Sequence, residues 1–469
     1  MTNESDMKAI NLLANKLHGK NRKEFWRLFK QIGQKAAVEF YDQAIKDDQL
    51  NTLREEMVEH AIFGTGIEQG AMDQFNNASR LSVAIKSALM PDAHQGYGLP
   101  IGGVLALDNA ISPYAVGVDI GCRLKISIFP IINGPEEWDP SFKSSLIGQT
   151  RFGMGASFSP SDKGGMSKHE VLDDPDWQLV NKFIPVKGSK TLHSIAVEQL
   201  GSSGGGNHFV EWGILTIKKP SLAYTDQEKS DYFFNEGDQY LALLSHSGSR
   251  GVGAKIADHY SKLAMSLRPN LPQSVKHLAW FNMDTEEGQE YWMAMNLAGR
   301  FAKANHDVIH QRIADDMGIG DPITTIDNHH NFAWIEDVVM ENGDVRQGYV
   351  HRKGATPAGV GMLGIIPGSM ATKGYVVQGK GNESSISSSS HGAGRAMSRR
   401  AAHESLDPKE WKRQLAEAQV ELIGGSLDEA TNAYKDIEKV MASQKKLVDV
   451  MAEFQPRLVR MADDGFAED

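Results

Sequence analysis

Residues 90–107 read MPDAHQGYGLPIGGVLAL, and the reading of the fold depends on how this stretch is divided. The apolar run SVAIKSALM (82–90) stops at Pro91, a turn rich in Gly and Pro carries Asp92 and His94, and an apolar run resumes with IGGVLAL (101–107). Short apolar runs bounded by Gly, Pro, Asp or Asn read as buried strands ending in loops. RLKISIF (123–129) and QYLALLSH (239–246) have the same texture. Helical spacing appears elsewhere: Phe25, Phe29, Ile32 and Ala36 recur among Lys, Arg and Gln in the first sixty residues. Tyr291, Met295, Ala298 and Ala302 share a face within 285–315, and helix is expected again after Pro408. Ser426 and Glu429 have the spacing of a capping box. The class predicted is α/β (mixed α+β), with no Pro-rich linker and no internal repeat.

The chain has 469 residues, 41% of them hydrophobic and 23% charged, the composition of an ordinary globular protein. A net charge of -11 argues against broad attraction to nucleic acid, which rests on Lys and Arg neutralising phosphates, although a local basic site stays possible. No apolar run approaches the roughly 18 residues that span a bilayer, and the N-terminus lacks a basic segment followed by an apolar core. No membrane association and a cytoplasmic location are expected. Cys122 is the single cysteine, so no intramolecular disulfide can form and a reducing compartment fits.

The chain has no P-loop: GSSGGGNHF (201–209) lacks the following Lys-Ser/Thr, GSRGVG (248–253) does not fit the dinucleotide fingerprint, and no His-Glu-x-x-His occurs. What recurs is a His, Cys or Asp where an apolar run meets a glycine turn. Asp119 and Cys122 in GVDIGC, His208 in GGGNHF, His246 in SHSGSRG and His330 in DNHHNF join Asp92 and His94 in this respect. Carboxylate, thiolate and imidazole bind first-row divalent metals, five donors exceed one tetrahedral site, and a thiolate can bridge two ions. No local pair is as diagnostic as a CxxC repeat, so burial in the core remains an alternative for each. SSSSHGAGR (387–395) sets His391 among small donors and open backbone, which suits an oxyanion, with the imidazole as base or nucleophile. The alternative is a polar loop with an incidental histidine.

Taken in order, MPDAHQGYGLPIGG, GVDIGC, GGGNHFVEWG, SHSGSRGVG, HHN, VHRKGATPAG, IIPGSMAT, SSSSHGAGRAMSR and DEATNAYKDI resemble the RtcB-type RNA ligases over roughly residues 80 to 440. The resemblance implies stacked β-sheets surrounded by helices, with a cleft for two manganese ions and GTP. It implies that Cys122 bridges the metals, that Asp119 and His208 complete one site, and that His246 and His330 complete the other. His391 takes the place of the histidine that carries GMP, and Asp92 that of the carboxylate orienting it. Asn207, Glu211, Asn331, Ser369 and Tyr434 fall at nucleotide contacts, and Arg395 is offered to the triphosphate. The partners implied are RNA ends bearing a 3'-phosphate or 2',3'-cyclic phosphate, RNA ends bearing a 5'-hydroxyl, and for some relatives an archease-type activator. Arg352, Lys353, Arg395, Arg399 and Arg400 are candidate RNA or phosphate contacts, with Arg399 and Arg400 individually read as solvated charges.

Departures from the family are DIGCRLK in place of Asp-Ile-Asn-Cys-Gly-Val-Arg, Thr431 in place of a common proline, and a tail PRLVRMADDGFAED without the usual lysine that reaches guanine. Guanine is then expected to rest on Tyr434, with Glu383 or Ser387 as polar groups and Arg460 as a substitute for the lysine. Selectivity for GTP over ATP is expected to narrow. Residues 1–75 are expected to be a helical N-terminal region and 76–469 the ligase domain. The alternatives are a metal-dependent RNA cyclic-phosphate phosphoesterase and a noncatalytic RNA-binding paralogue.

Overall fold

The computed structural model describes residues 4–16, 19–131, 138–162, 164–225 and 228–463. Two sheets dominate it. A five-stranded sheet runs, in spatial order, Glu59–Ile62, Ala84–His94, Ile101–Leu107, Val345–Lys353 and Asn331–Val339. An eight-stranded sheet runs Thr324–His329, Arg123–Phe129, Gln239–Ser247, Phe209–Ile217, Val448–Met461, Gly374–Gly379 and Leu363–Ile366, with Glu421–Ile423 paired to the side of Val448–Met461. The apolar runs of the sequence are these strands, except that the run ending at Met90 does not stop at Pro91: its strand continues to His94, so Asp92 and His94 lie on a strand end and not on a turn.

Alternation along the strands sends successive side chains into different cores. Ile85, Ala88, Met90, Val104, Ala106 and Val350 of the smaller sheet pack with Ile366, Tyr375, Val377 and Val448 of the larger, so the sheets are stacked face to face. Their neighbours Ala84, Leu105 and Leu107 point the other way, into a core shared with the helices Arg250–Leu267 and Glu286–Met317. The far side of the larger sheet packs Val210, Trp212, Leu241 and Leu243 on Ile309 and Ile313 of the long helix and on Leu146. Strands covered on both faces read as near-continuous apolar runs, which is why they stood out.

Three local expectations need correction. The stripe Phe25, Phe29, Ile32, Ala36 does not persist: the helix Gly19–Gln31 ends before Ile32, which is 68% exposed, and Gly33 turns the chain at φ 116. Ile10, Ala14, Phe25, Ala37 and Tyr41 form the small core of the helices Glu4–Lys16, Gly19–Gln31 and Gln34–Leu50. Residues 59–62, within the region expected to be helical, form a strand because parallel pairing with 86–89 supplies their backbone partners. The capping box at Ser426 and Glu429 does not form: residues 427–429 make a single 3-10 turn, and the Glu429 carboxylate is taken instead by Arg399 and Tyr434.

Candidate active site

One end of the larger sheet gathers the donor residues. Antiparallel register puts His246 opposite both Leu124 and Phe209, so Cys122 and His208, which lie just ahead of those two strands, arrive beside it. His329 pairs with Arg123, and the His330 amide donates to the Cys122 carbonyl at 3.0 Å, adding the fourth residue. Asp119 enters on the turn before Cys122. Gly248 leaves it room, because a Cβ there would lie 2.0 Å from the Asp119 carboxylate. Residues separated by up to about two hundred positions thus converge through register alone.

The donors form two triples that share one sulfur: Cys122, His246 and His330, and Asp119, Cys122 and His208, each with ligand atoms within 4.8 Å of one another. Cys122 Sγ lies 3.1 Å from His246 Nε2 and 3.5 Å from His208 Nε2. His208 Nε2 is 3.0 Å from Asp119 Oδ2, and His246 Nε2 is 3.3 Å from His330 Nε2. Burial, reinforced by neighbouring imidazoles, pushes the His246 and His330 rings well below their ordinary basicity, so they are neutral. His246 Nδ1–H donates to the Asn207 carbonyl at 3.0 Å, which leaves a lone pair on Nε2 facing a sulfur and a second ring nitrogen. A carbonyl-anchored imidazole with its other nitrogen turned toward soft and hard donors is the arrangement a divalent cation satisfies. The donor set therefore fits a pair of metal ions bridged by a thiolate.

His391 stands on the same cleft, its ring centroid 4.9 Å from that of His330. Asp92 Oδ2 accepts from His391 Nδ1 at 2.6 Å and from the His391 backbone amide at 3.1 Å. Burial raises the Asp92 carboxyl, but the hydrogen bond and the charges of His391, His94 and Lys435 outweigh it and hold it below the usual range. An ionised Asp92 keeps the proton on Nδ1 and the lone pair on Nε2. The approach is close: at Gly394, with φ +73, a Cβ would lie 2.1 Å from the Asp92 carbonyl.

Asn207, Glu211, Asn331, Ser369, Arg395 and Tyr434 all line this cleft. Asn331 is braced by Asp119 O and the Gly354 amide at 3.3 and 2.8 Å. Glu211 is buried, and desolvation raises its carboxyl well above the ordinary value. Arg395 is already engaged, donating to Met397 O, Asp428 O and Glu429 and lying 5.4 Å over the Tyr434 ring. His94, flagged at its turn but given no role, also borders the cleft, and burial lowers its ring to about 4.

Several expected contacts are not made here. Arg352 is 1% exposed, forked onto Glu336 at 2.7 and 2.8 Å and stacked over Trp334, while Lys353 is buried on the carbonyls of Tyr97 and Tyr114. Both are internal ties, and their strand is an interior one, paired on both sides. Arg399, by contrast, does border the cleft, where it bonds Asp428 and Glu429 and so is not the solvated charge expected, while Arg400 is an exposed partner of Glu404. The serines 388–390 are neither a loop nor an anion cradle but a buried strand paired with 355–357; only the residues from His391 to Arg395 reach the cleft. Glu383 is exposed on a separate turn, and neither it nor Ser387 borders the cleft. Arg460 does not face the cleft. Its neighbours Val459 and Met461 face the cleft, so alternation turns Arg460 to the opposite face, onto Leu146 O and the Phe152 ring.

Lys435 was not singled out from the sequence, though it follows Tyr434 directly. Its only signal was membership of the segment DEATNAYKDI.

Comparison with known proteins agrees with this geometry. The family model described as tRNA-splicing ligase RtcB matches residues 74–139 and 150–462. The RNA-splicing ligase RtcB of Escherichia coli K12 is 32% identical over 406 residues, covering 83% of this chain and 93% of that protein. The tRNA-splicing ligase RtcB of Thermococcus kodakarensis is 30% identical over 433 residues, covering 79% and 86% respectively. The RNA-splicing ligase RtcB of Mycobacterium tuberculosis is 28% identical over 419 residues, covering 79% and 95%. With its donor residues converged on one cleft and its matched region spanning most of its length, the chain belongs to the RtcB family of RNA ligases.

Proposed function

We propose that the protein joins RNA 3'-phosphate or 2',3'-cyclic phosphate ends to 5'-hydroxyl ends, using GTP and manganese through a His391–GMP intermediate. The observation that carries this reading is the Asp92–His391 pair, 2.6 Å apart, opening on the cleft that holds two donor triples sharing Cys122. His391 Nε2 attacks the α-phosphorus of GTP, forming a P–N bond as the α–β anhydride breaks and pyrophosphate leaves. Asp92 stabilises the charge that the imidazole acquires. An oxygen of the RNA 3'-phosphate then attacks the same phosphorus, breaking the P–N bond and returning the lone pair to His391. The RNA end now carries an anhydride, and the 5'-hydroxyl of the second end displaces GMP from it. Cys122 with His246 and His330, and Cys122 with Asp119 and His208, would hold two divalent ions, which would supply Lewis-acid charge for phosphate oxygens. Asn207, Glu211, Asn331, Ser369 and Tyr434 hold the nucleotide, and residues 76–469 form the ligase domain behind an appended N-terminal region.

Incubation with α-labelled GTP and manganese, followed by denaturing electrophoresis, tests this. A label that stays on the protein, and is lost on adding RNA 3'-phosphate, is the expected result. No label, with cyclic-phosphate hydrolysis retained, supports the phosphoesterase instead; no label and no hydrolysis, with or without an archease-type activator, supports a noncatalytic RNA-binding protein.

A further inference from the structure

We infer that Lys435 is a positioning residue for the nucleophile, one side chain and one amide that lock the two halves of the Asp92–His391 pair together. The inference rests on the proposed His391–GMP chemistry. The pair comes from two separate elements: Asp92 from the strand Ala84–His94, and His391 from the turn after residues 388–390. Lys435 touches both. Its backbone amide donates to Gly394 O at 2.9 Å, and Ala396 donates back to Ala433 O at 2.8 Å, so the His391 turn is sewn to this segment by a short antiparallel bridge. Its Nζ donates to Pro91 O at 3.2 Å and Ala93 O at 2.5 Å, the carbonyls on either side of Asp92.

Two consequences follow from elementary physics. Gripping the Pro91–Asp92 and Ala93–His94 peptides on either side of Asp92 restrains the direction of its carboxylate, which has one hydrogen-bonded oxygen to aim at His391 Nδ1. Its other oxygen, Oδ1, is buried and has no hydrogen-bond partner among the described residues. A buried carboxylate in that state needs hydrogen bonds and nearby positive charge to remain ionised, and the Lys435 ammonium adds to what His391 and His94 supply. Lys435 does not border the main cleft, and although it lines a neighbouring pocket with Ser369 and Tyr434, its Nζ is bonded to the carbonyls of Pro91 and Ala93, so it acts through Asp92.

The test compares Lys435→Met and Lys435→Arg with wild type in three measurements: single-turnover protein–GMP formation at saturating GTP, GTP affinity, and joining of RNA already carrying GMP. Misplacing a catalytic group by about 1 Å costs about 10²-fold, and Lys435→Met is expected to slow adduct formation by that factor. GTP affinity and the joining of guanylylated RNA, which bypasses His391, should stay within about threefold of wild type, and Lys435→Arg should recover much of the loss. In an Asp92→Asn background the same Lys435→Met change should have little further effect. Wild-type adduct rates in Lys435→Met, parallel loss of adduct formation and joining, or an undiminished effect beside Asp92→Asn would each overturn the inference. A wild-type protein that forms no adduct would overturn the underlying reaction instead, and the inference with it.

Discussion

Two groups of buried histidines lie on opposite faces of the strand Gln239–Ser247, and they differ in one respect. His246 faces the cleft with His208 and His330, whereas Ser245 and Ser247 face His306 and His310 on the helix Glu286–Met317. Burial depresses the basicity of both groups: His306 falls to about 3, and His246, His310 and His330 fall well below their ordinary value. In the interior group each ring nitrogen has a partner. His306 Nε2 donates to Ser247 O at 3.0 Å, Ser245 Oγ donates to His306 Nδ1 at 2.6 Å and accepts from His310 Nε2 at 2.7 Å, and Ser127 completes the chain at His310 Nδ1. In the cleft group nitrogen meets nitrogen and sulfur. Burial and lowered basicity therefore do not mark a site; convergent lone pairs do.

The comparison is broken most severely at His391, which stands beside the cleft group. His391→Ala should lower protein–GMP formation by more than about 10⁴-fold, since alanine offers no nucleophile, while labelled guanylylated RNA is still joined. An undiminished adduct would move the nucleophile elsewhere. Next comes the shared sulfur: Cys122→Ser removes the thiolate that both triples use, and should cut manganese affinity and adduct formation by about 10²-fold. Full metal content by elemental analysis, with normal ligation, would make Cys122 an ordinary core residue.

The interior group should respond in the other currency, stability. His306→Leu removes the acceptor of the Ser245 hydroxyl proton and the donor to Ser247 O, and should destabilise the fold by about 2–3 kcal/mol in urea, with metal content unchanged; loss of metal would show that the groups are coupled. Its pH dependence is smaller. A histidine whose basicity is depressed on folding is protonated first in the unfolded chain, so its stabilisation is present above about 6.5 and is lost as pH falls toward about 3. Metal-free protein should lose up to about 1.4 kcal/mol per pH unit on account of His306 between those two values, and His306→Leu should remove that share of the slope. The smallest effect belongs to a residue outside both groups. Arg460→Ala should leave the preference for GTP over ATP within about twofold of wild type, because Arg460 faces Leu146; a larger change, read from competition for adduct formation, would place it at the base.

The strands and the candidate donor residues were legible in residue type and local spacing, whereas the pairing of Asp92 with His391, 299 positions apart, was implied only by the family resemblance. Short apolar runs ending in Gly or Pro have few alternatives, and Asp, Cys and His at such junctions are there for more than packing. Charge was not legible in this way. Arg352 and Lys353 look like phosphate ligands in VHRKGAT, yet their strand is covered on both sides, and Glu336 and two carbonyls take their charges. Nor was Lys435, whose role depends on carbonyls more than three hundred positions away.

By itself, then, the sequence determined the class of fold, the family and the chemical identity of the donors, all properties carried by residues near one another in the chain. Only the tertiary structure decided that the serines before His391 are a strand and that Arg460 faces away from the cleft. Those outcomes are set by strand register and by alternation along Val448–Met461, where an irregularity between Pro456 and Leu458 resets which side chains point inward. Register is a property of pairs of distant segments, and a one-residue slip exchanges the two faces.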